Sequence, residues 1–289
     1  MIWKTTRFQV DLLQPKVMGI VNVTPDSFSD GGRYASTASA LEHCEKLIRD
    51  GADILDIGAE SSRPGAQPLS LEDELARLLP VVREAVKLGL PVSVDTYKPE
   101  VMQAVLALGA DIINDIWALR WHAAGVSPLD GVRVVSQHPS CGVCLMHMHG
   151  EPLSMQVSPM EGDVVSQVRL FLTQVADTLN VAGVDKSRIV LDPGIGFGKT
   201  VSQNFTLLAR QSEFLTLGYP LLAGWSRKSS LAALTSATTS AAFSSMAHAR
   251  LVPSVAAALL AVERGAGIVR VHDVLETVQA LQVLKALTQ

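Results

Sequence analysis

The feature that most limits the possible folds is an alternation of short apolar runs with longer amphipathic stretches along the whole chain. Most runs are continuously apolar, which is typical of parallel strands that helices cover on both faces. The pattern predicts eight strands, at Val17–Val23, Ile54–Ala59, Pro91–Asp95, Ile112–Ile116, Val143–His147, Ile189–Asp192, Leu221–Gly224 and Ile268–His272. Helices are predicted at Ala38–Arg49, Leu71–Lys87, Glu100–Leu108, Val164–Asn180, Gln203–Arg210, Ser229–Leu234, Pro253–Arg264 and Leu275–Leu287, with a further short helix within Trp121–Ser136.

This repetition favours one closed architecture. Eight β–α units in 289 residues predict a (β/α)8 TIM barrel that occupies residues 1–289 as a single domain. An open doubly wound sheet is the alternative. Hydrophobic residues make up 48% of the chain, enough for a substantial core. The Ser/Thr/Ala-rich segment Thr235–Ala247 has low complexity, and no function is assigned to it.

Charge and composition restrict the possible partners. A net charge of −4 provides no general attraction for nucleic acid or an anionic membrane, so an anionic substrate would need a local basic site. The N-terminus lacks an apolar signal core and no apolar run reaches membrane-spanning length, so a cytoplasmic protein is expected. Three cysteines without framework spacing suit a reducing compartment.

Polar side chains concentrate at or just after the predicted C-terminal strand ends. In α/β barrels this mouth carries the chemistry, because the loops that follow all eight strands meet there. No N-terminal strand end shows a comparable cluster. The residues at the mouth are Asn22, Glu60–Arg63, Asp95, Asn114, His147, His149, Asp192, Ser226–Lys228, Arg270 and His272.

The first strand contains an unusual amide. Asn22 lies in an apolar run that Pro25 ends, and a loop rich in Ser, Asp and Gly follows through Gly32. A buried amide requires partners, so Asn22 either bonds neighbouring backbone or faces a ligand or metal. The adjoining polar loop favours the ligand or metal.

Two carboxylates and an amide, from Asp95, Asn114 and Asp192, form a candidate recognition set. A carboxylate can accept hydrogen bonds from the ring N–H and exocyclic amine of an aminopyrimidinone, and an amide can donate and accept. The alternative for Asp192 is that it caps the turn at Pro193-Gly194.

The sequence L-D-P-G-I-G-F-G-K-T superficially suggests a phosphate-binding loop. The required spacing fails, because Pro193 stands five positions before Gly198 where glycine is needed, so we reject that interpretation. The glycines instead suit close backbone approach to a flat ligand, with Phe197 providing an apolar face.

Two further groups of residues could bind anions. Gly224–Ser229 links a strand to a helix, and its Arg227-Lys228 pair opposes the helix dipole, which suggests that a ligand compensates this charge. Arg270 and His272 share one face of their strand, and with Ser62 and Arg63 they could surround a diphosphate.

The pair Cys141 and Cys144, with His147 and His149, superficially resembles a zinc or redox site. Cys141 would project to the opposite face from Cys144, and the histidines have no matched second pair of ligands. We therefore favour a buried strand that brings Met146 and His147 toward the mouth.

Together these motifs resemble the dihydropteroate synthase family, a bacterial transferase family of folate biosynthesis. The matches run from the first strand to the last and cover nearly the whole chain. They are Met18–Gly32, Asp56–Ala66, Val92–Glu100, Ile113–Ile116, Leu145–Met148, Leu191–Lys199, Gly224–Ser229 and Arg270–Asp273.

The resemblance implies condensation of 6-hydroxymethyl-7,8-dihydropterin diphosphate with 4-aminobenzoate, giving 7,8-dihydropteroate and diphosphate. It also implies Mg2+ as cofactor, sulfonamides as inhibitors and a homodimer. Its catalytic residues would be Asp95, Asp192, Lys228 and Arg63. The pterin would contact Asp95, Asn114, Met146, Asp192, Phe197, Gly224 and Lys228. The diphosphate would contact Asn22, Ser62, Arg63, Arg270 and His272, with Asn22 also placing Mg2+, and the aminobenzoate would contact Phe28, Pro64 and Ser229.

The loops at Asp26–Gly32 and Ser61–Gly65 would close over this site and exclude water. The chain departs from the family pattern at Ala59, Ser62, His149 and Pro253, and its segment between Ser229 and Arg270 is long, but each proposed ligand-binding group is present. Two alternatives are a pterin-binding methyltransferase barrel, which would not need the first loop or the Arg270/His272 site, and a non-catalytic paralogue.

Overall fold

The structure, a computed structural model, describes residues 1–23, 32–60, 67–122, 130–151, 155, 157–235 and 246–287. Eight parallel strands form a closed barrel, which confirms the predicted fold and excludes the open sheet. The barrel strands are β3 (Lys16–Asn22), β4 (Ile54–Gly58), β5 (Val92–Asp95), β6 (Ile112–Asp115), β7 (Gly142–Met146), β8 (Ile189–Asp192), β9 (Leu221–Ala223) and β10 (Ala266–Val271). Strand β10 pairs with both β9 and β3 and so closes the barrel.

Helices surround the barrel strands. They are α1 (Gly32–Arg49), α2 (Leu71–Ala85), α3 (Pro99–Ala107), α4 (Gly131–Gln137), α5 (Val164–Val181), α6 (Val201–Ala209), α7 (Ser229–Thr235), α8 (Met246–Glu263) and α9 (Val274–Ala286). The eight predicted strands are confirmed with ends within two residues, and the short helix expected in Trp121–Ser136 is α4.

Two predicted helix starts are wrong. Helix α1 begins at Gly32 rather than Ala38, because its first turns lack the apolar spacing used to locate it. Helix α8 begins at Met246, so Pro253 lies inside the helix rather than at its first turn, where proline is best tolerated. Most of the low-complexity segment, at 236–245, lies outside the described residues.

An N-terminal hairpin was not predicted. Strands β1 (Ile2–Lys4) and β2 (Gln9–Asp11) pair antiparallel, and their three-residue length is too short to produce a visible periodicity. The hairpin buries Trp3 completely, and the indole Nε1 donates to the Arg188 carbonyl over 2.9 Å. Trp3 packs against the apolar residues that fill one layer of the barrel, namely Met18, Ile54, Ile112, Cys144, Val190, Leu222 and Ile268.

Strand geometry separates the apolar layer from the functional mouth. Alternate residues of a strand point to the same side, so residues two or four positions beyond that layer also face inward. In β4, Ile54 in the apolar layer is followed by the inward-facing Asp56, and in β10 Ile268 is followed by Arg270. The barrel is therefore apolar near the hairpin and polar toward the C-terminal strand ends. No helix in the described part of the chain is long and apolar enough to cross a bilayer.

Candidate active site

Neighbouring strands bring three predicted site residues into one row at the barrel mouth. Asn22 pairs in register with Gly58, Gly58 with Asp95, and Asp95 with Asn114. Asn22 is exposed at its strand end, so the expectation of a buried amide there is wrong, whereas Asn114 is buried. The predicted carboxylate–amide pair is therefore formed directly by adjacent strands.

Arg270 connects β10 to β4 and β5 through two carboxylates. Its Nε lies 2.6 Å from Asp56 Oδ2, and its Nη2 lies 2.7 Å from Asp95 Oδ2. The Asn114 amide lies 3.3 Å from Asp56 Oδ2. Asp56 is a site residue that the clustering of polar groups at strand ends does not predict, although its inward position two residues before a strand end is a usable signal.

Burial controls the protonation of this cluster. It raises the pKa of Asp95 to about 7, with a further upward contribution from Asp56 and an opposing one from Arg270. Burial also raises the pKa of Asp192. For Arg270, burial opposes the cation, but Asp56 and Asp95 keep the guanidinium pKa above its ordinary value. Cations are therefore needed to keep these carboxyl groups ionised.

An apolar cluster adjoins Asp192 at the mouth. Met146 pairs in register with Asp192, and both Met146 and Phe197 are buried in a cluster with Tyr97, Ile116, Met148 and Met155. The Lys228 ammonium lies 4.3 Å from the centre of the Phe197 ring. Burial lowers the pKa of Lys228 to about 8, while Asp192 acts in the opposite direction. A Cβ at Gly224 would meet no atom within 4 Å, so packing does not require glycine there.

Asp192 does cap the following turn. Its Oδ1 accepts a 2.7 Å hydrogen bond from the Gly194 amide. Gly194 has φ +70°, and a Cβ there would lie 1.8 Å from the His147 carbonyl oxygen, so this turn requires glycine. The capping interpretation is thus right for Oδ1, and a ligand would use the other carboxylate oxygen.

In the basic segment after β9, the charge of Arg227 is compensated within the protein. Arg227 pairs with Asp273, with Nη2 lying 2.6 Å from Oδ1 and Nε 3.1 Å from Oδ2. The inference that a ligand compensates the Arg227 charge is therefore wrong, because Asp273 does so. Ser229, the first residue of α7, is exposed. His272 Nδ1 lies 3.0 Å from Ser226 Oγ, which links the ends of β9 and β10.

The cysteines are all free and buried. Cys144 belongs to the apolar layer inside the barrel, whereas Cys141 belongs to the cluster between strands and helices. Their opposite placement excludes a disulfide between them in this fold. No group of three or more His, Cys, Asp or Glu side chains suited to a metal occurs among the residues that the structure describes.

Lys199 is a second site residue that the sequence patterns do not predict. It is buried beside the end of β7, and its ammonium lies 2.9 Å from His147 Nδ1. The lysine belonged to the rejected phosphate-loop motif, so its position in the glycine-rich turn was the available signal. His147 lies near the mouth as expected, but it faces Lys199.

Several predicted residues lie outside the described residues. They belong to the two loops after β3 and β4, and their predicted roles stay predictions. These residues are Phe28, Ser62, Arg63 and Pro64.

Comparison with known proteins identifies the family. The family described as pterin binding enzyme matches residues 18–272. A dihydropteroate synthase of Neisseria meningitidis serogroup C is 48% identical over 99% of this chain and 97% of its own length.

Solved structures of similar sequence are also dihydropteroate synthases. The Burkholderia cenocepacia dihydropteroate synthase complexed with 7,8-dihydropteroate has a TM-score of 0.85 and 45% identity, covering 99% of this chain and 96% of that one. The Yersinia pestis dihydropteroate synthase with a sulfonamide drug complex has a TM-score of 0.88 and 39% identity, covering 100% and 99%. This chain belongs to the dihydropteroate synthase family of pterin-binding enzymes.

Proposed function

We propose that this protein condenses 6-hydroxymethyl-7,8-dihydropterin diphosphate with 4-aminobenzoate, producing 7,8-dihydropteroate and diphosphate. The observation that carries this proposal is the set of half-buried Asp95 with buried Asn114 and Asp192 at the mouth, where Lys228 interacts with Asp192 and lies over the Phe197 ring. The relative from Burkholderia cenocepacia was solved with 7,8-dihydropteroate, the product of this reaction.

The pterin would lie between the polar and apolar sides of the mouth. The carboxylates of Asp95 and Asp192 would accept from its N–H groups, and Asn114 would donate to or accept from the ring edge. Phe197 and Met146 would provide the apolar wall, and the absence of a side chain at Gly224 would leave room for the ring. Lys228 would donate to a ring acceptor.

The diphosphate would occupy the side of the mouth toward β10. Arg270 uses Nε and Nη2 for carboxylates, and among the described residues its Nη1 makes no hydrogen bond, so one edge of the guanidinium remains for phosphate oxygens. His272, Ser62 and Arg63 would add donors.

Mg2+ would be held by Asn22 together with diphosphate oxygens and water. The exposed amide at the end of β3 fits this use, because Mg2+ favours oxygen ligands and commonly binds through few protein groups plus substrate phosphates. When bound, the ion would neutralise charge on the departing diphosphate.

The protein would promote carbon–oxygen cleavage without a covalent protein nucleophile. The bond from the pterin methylene carbon to the diphosphate oxygen breaks, and its electron pair leaves with diphosphate. Asp95 and Asp192 would stabilise the resulting positive charge, while Arg63 and Arg270 would stabilise the leaving group. The aryl amine then forms the carbon–nitrogen bond and loses one proton.

The second substrate would lie beside the Asp26–Gly32 and Ser61–Gly65 loops, with Phe28 and Pro64 flanking its ring. Ser229 would donate to its carboxylate. Sulfonamides, which resemble 4-aminobenzoate in shape, would compete there, as the drug complex of the Yersinia pestis relative suggests. The cytoplasmic location stays a prediction.

A homodimer is part of the proposal. Helix α8 exposes Val252, Ala256 and Leu260 at four-residue spacing, so these side chains form an apolar stripe on one face. We expect a dimer by analytical ultracentrifugation and a shift toward monomer for Val252→Asp. A wild-type monomer at micromolar concentration would contradict this part of the proposal.

Product analysis tests the reaction and separates it from the alternatives. Purified protein with the pterin diphosphate, 4-aminobenzoate and Mg2+ is expected to release one diphosphate for each 7,8-dihydropteroate formed. A pterin-binding methyltransferase would form no pteroate, and a non-catalytic paralogue would bind the pterin without releasing diphosphate. Either result would overturn the proposed function.

A further inference from the structure

The buried ammonium of Lys199 connects two loops at the barrel mouth. It lies 2.8 Å from the Gly194 carbonyl oxygen, 3.0 Å from that of Phe197 and 2.9 Å from His147 Nδ1. The His147 carbonyl oxygen is 3.4 Å away. Only 2% of Lys199 is exposed, and no carboxylate among the described residues forms an ion pair with it. Its charge is thus directed at the backbone of the two loops.

The protonated form of Lys199 sets the tautomer of His147. Burial lowers the pKa of Lys199 to about 7, and below that value its ammonium can only donate, so Nδ1 of His147 accepts and the proton of the neutral ring lies on Nε2. The imidazole also packs edge-on against Phe171, with ring centres 4.9 Å apart. Burial and the neighbouring Lys199 lower the pKa of His147 to about 2, so the ring stays neutral. His147 therefore serves as an acceptor for Lys199.

The two loops that Lys199 joins touch through their backbones. A Cβ at Gly198 would lie 2.2 Å from the His149 carbonyl oxygen, and one at Gly194 would lie 1.8 Å from the His147 carbonyl oxygen. Such contact leaves the carbonyl groups of the turn little access to water. Lys199 supplies the donors that buried carbonyl groups require.

The turn held in this way carries the apolar wall of the proposed pterin pocket. Phe197 lies within it, and the Lys228 ammonium is above the Phe197 ring. A Cβ at Gly196 would come 3.3 Å from Lys228 Cδ, so the turn also contacts the lysine side chain. Displacing the turn would move Phe197 and Lys228 together.

We propose that Lys199 is a positioning residue for the pterin: its ammonium joins the 194–197 turn to His147 and thereby fixes Phe197 and Lys228. This inference rests on the proposed function, because it assigns the positioned side chains to the pterin pocket. It predicts that Lys199 matters for the pterin and not for 4-aminobenzoate.

The test compares Lys199→Met with Lys87→Met, whose lysine is exposed and pairs with Glu84. We expect Lys199→Met to weaken binding of the pterin diphosphate, measured by calorimetry without 4-aminobenzoate, by about tenfold or more. The KM for 4-aminobenzoate is expected to change by less than about twofold. Hydrogen exchange in the 193–200 peptide of the unliganded protein is expected to become faster. The proposal would be overturned if Lys199→Met had the same pterin affinity and the same exchange rates as the control. It would also be overturned if the variant weakened the binding of pterin diphosphate and of 4-aminobenzoate equally.

Two measurements keep the test decisive if Lys199→Met does not fold. Lys199→Gln keeps a donor and is expected to give a smaller loss of pterin affinity. In the wild-type protein, the amides of Gly194, Gly196 and Phe197 are hydrogen-bonded and are expected to exchange slowly, and rapid exchange would overturn the proposal. Failure of the wild-type protein to bind pterin diphosphate would instead refute the proposed function, while the exchange result would still report on the turn.

Discussion

The Nε of Arg270 lies 2.6 Å from Oδ2 of Asp56, so a residue of the last barrel strand is paired with one of the second. Asp56 is fully buried, whereas Arg270 is partly exposed toward the mouth. The pair therefore orients the guanidinium from the barrel interior and leaves its solvent-facing edge available to substrate. Orientation by a buried carboxylate is a common way to prepare a cation for an anionic ligand.

Asp56→Asn tests this orientation. We expect kcat/KM for the pterin substrate to fall by about tenfold or more, because the guanidinium loses one of its two charged partners and can turn toward Asp95. The matched control is Asp53→Asn, which removes a carboxylate that pairs with Lys16 at the other end of the barrel. Equal kinetics for the two variants would contradict the role of Asp56.

Lys228→Ala and Arg63→Ala test the two cations assigned to the reacting substrate. Each is expected to lower turnover by at least about tenfold, through loss of charge-assisted contacts in the transition state. Steady-state kinetics with Lys87→Ala as the control would measure this effect. Near-wild-type turnover in either variant would disprove that residue's assignment.

The pH dependence should report Asp95 and Lys228. The pKa of Asp95 is about 7, so its carboxylate form is gained as pH rises through that value. The pKa of Lys228 is about 8, so its cation is lost above it. Burial lowers the pKa of Lys199 to about 7, so the ammonium that holds the 194–197 turn is also lost as pH rises. We expect kcat/KM for the pterin substrate to rise and then fall across these values, and Lys228→Arg to reduce the alkaline decline, because arginine stays charged. A profile without an alkaline decline in the wild-type enzyme would rule out this use of Lys228.

Trp3→Ala tests the N-terminal hairpin. We expect the free energy of unfolding to fall by about 3–5 kcal/mol, because a fully buried indole is lost from the apolar layer at the hairpin end of the barrel. The adjacent Ile2 is 39% exposed, so Ile2→Ala should cost less than about 1 kcal/mol. Urea denaturation of both variants gives the comparison, and similar losses of unfolding free energy would show that Trp3 does not stabilise the apolar layer of the barrel.

The barrel could be predicted because its strands are continuously apolar, including the three-residue β9, whose residues are all buried. The hairpin could not, since each of its strands buries only its central residue, and Trp3 gains its partners only from the closed barrel. The recognition residues Asp95 and Asn114 follow from their positions at strand ends.

The partners of the charged residues could not be predicted in the same way. Arg227 and Asp273 are 46 residues apart in sequence, and their pairing depends on β9 lying beside β10. Asp56 was hidden inside an apolar strand, and its pairing with Arg270 exists only because the barrel closes. Long-range charge pairing therefore has to be read from the folded structure.

Incorporation of labelled 4-aminobenzoate into 7,8-dihydropteroate tests the central claim most directly. The purified wild-type protein, supplied with the pterin diphosphate and Mg2+, is expected to form labelled pteroate, and Asp192→Asn is expected to reduce this formation by about tenfold or more. If the wild-type protein leaves the labelled 4-aminobenzoate unchanged, the barrel mouth described here is not a dihydropteroate synthase site.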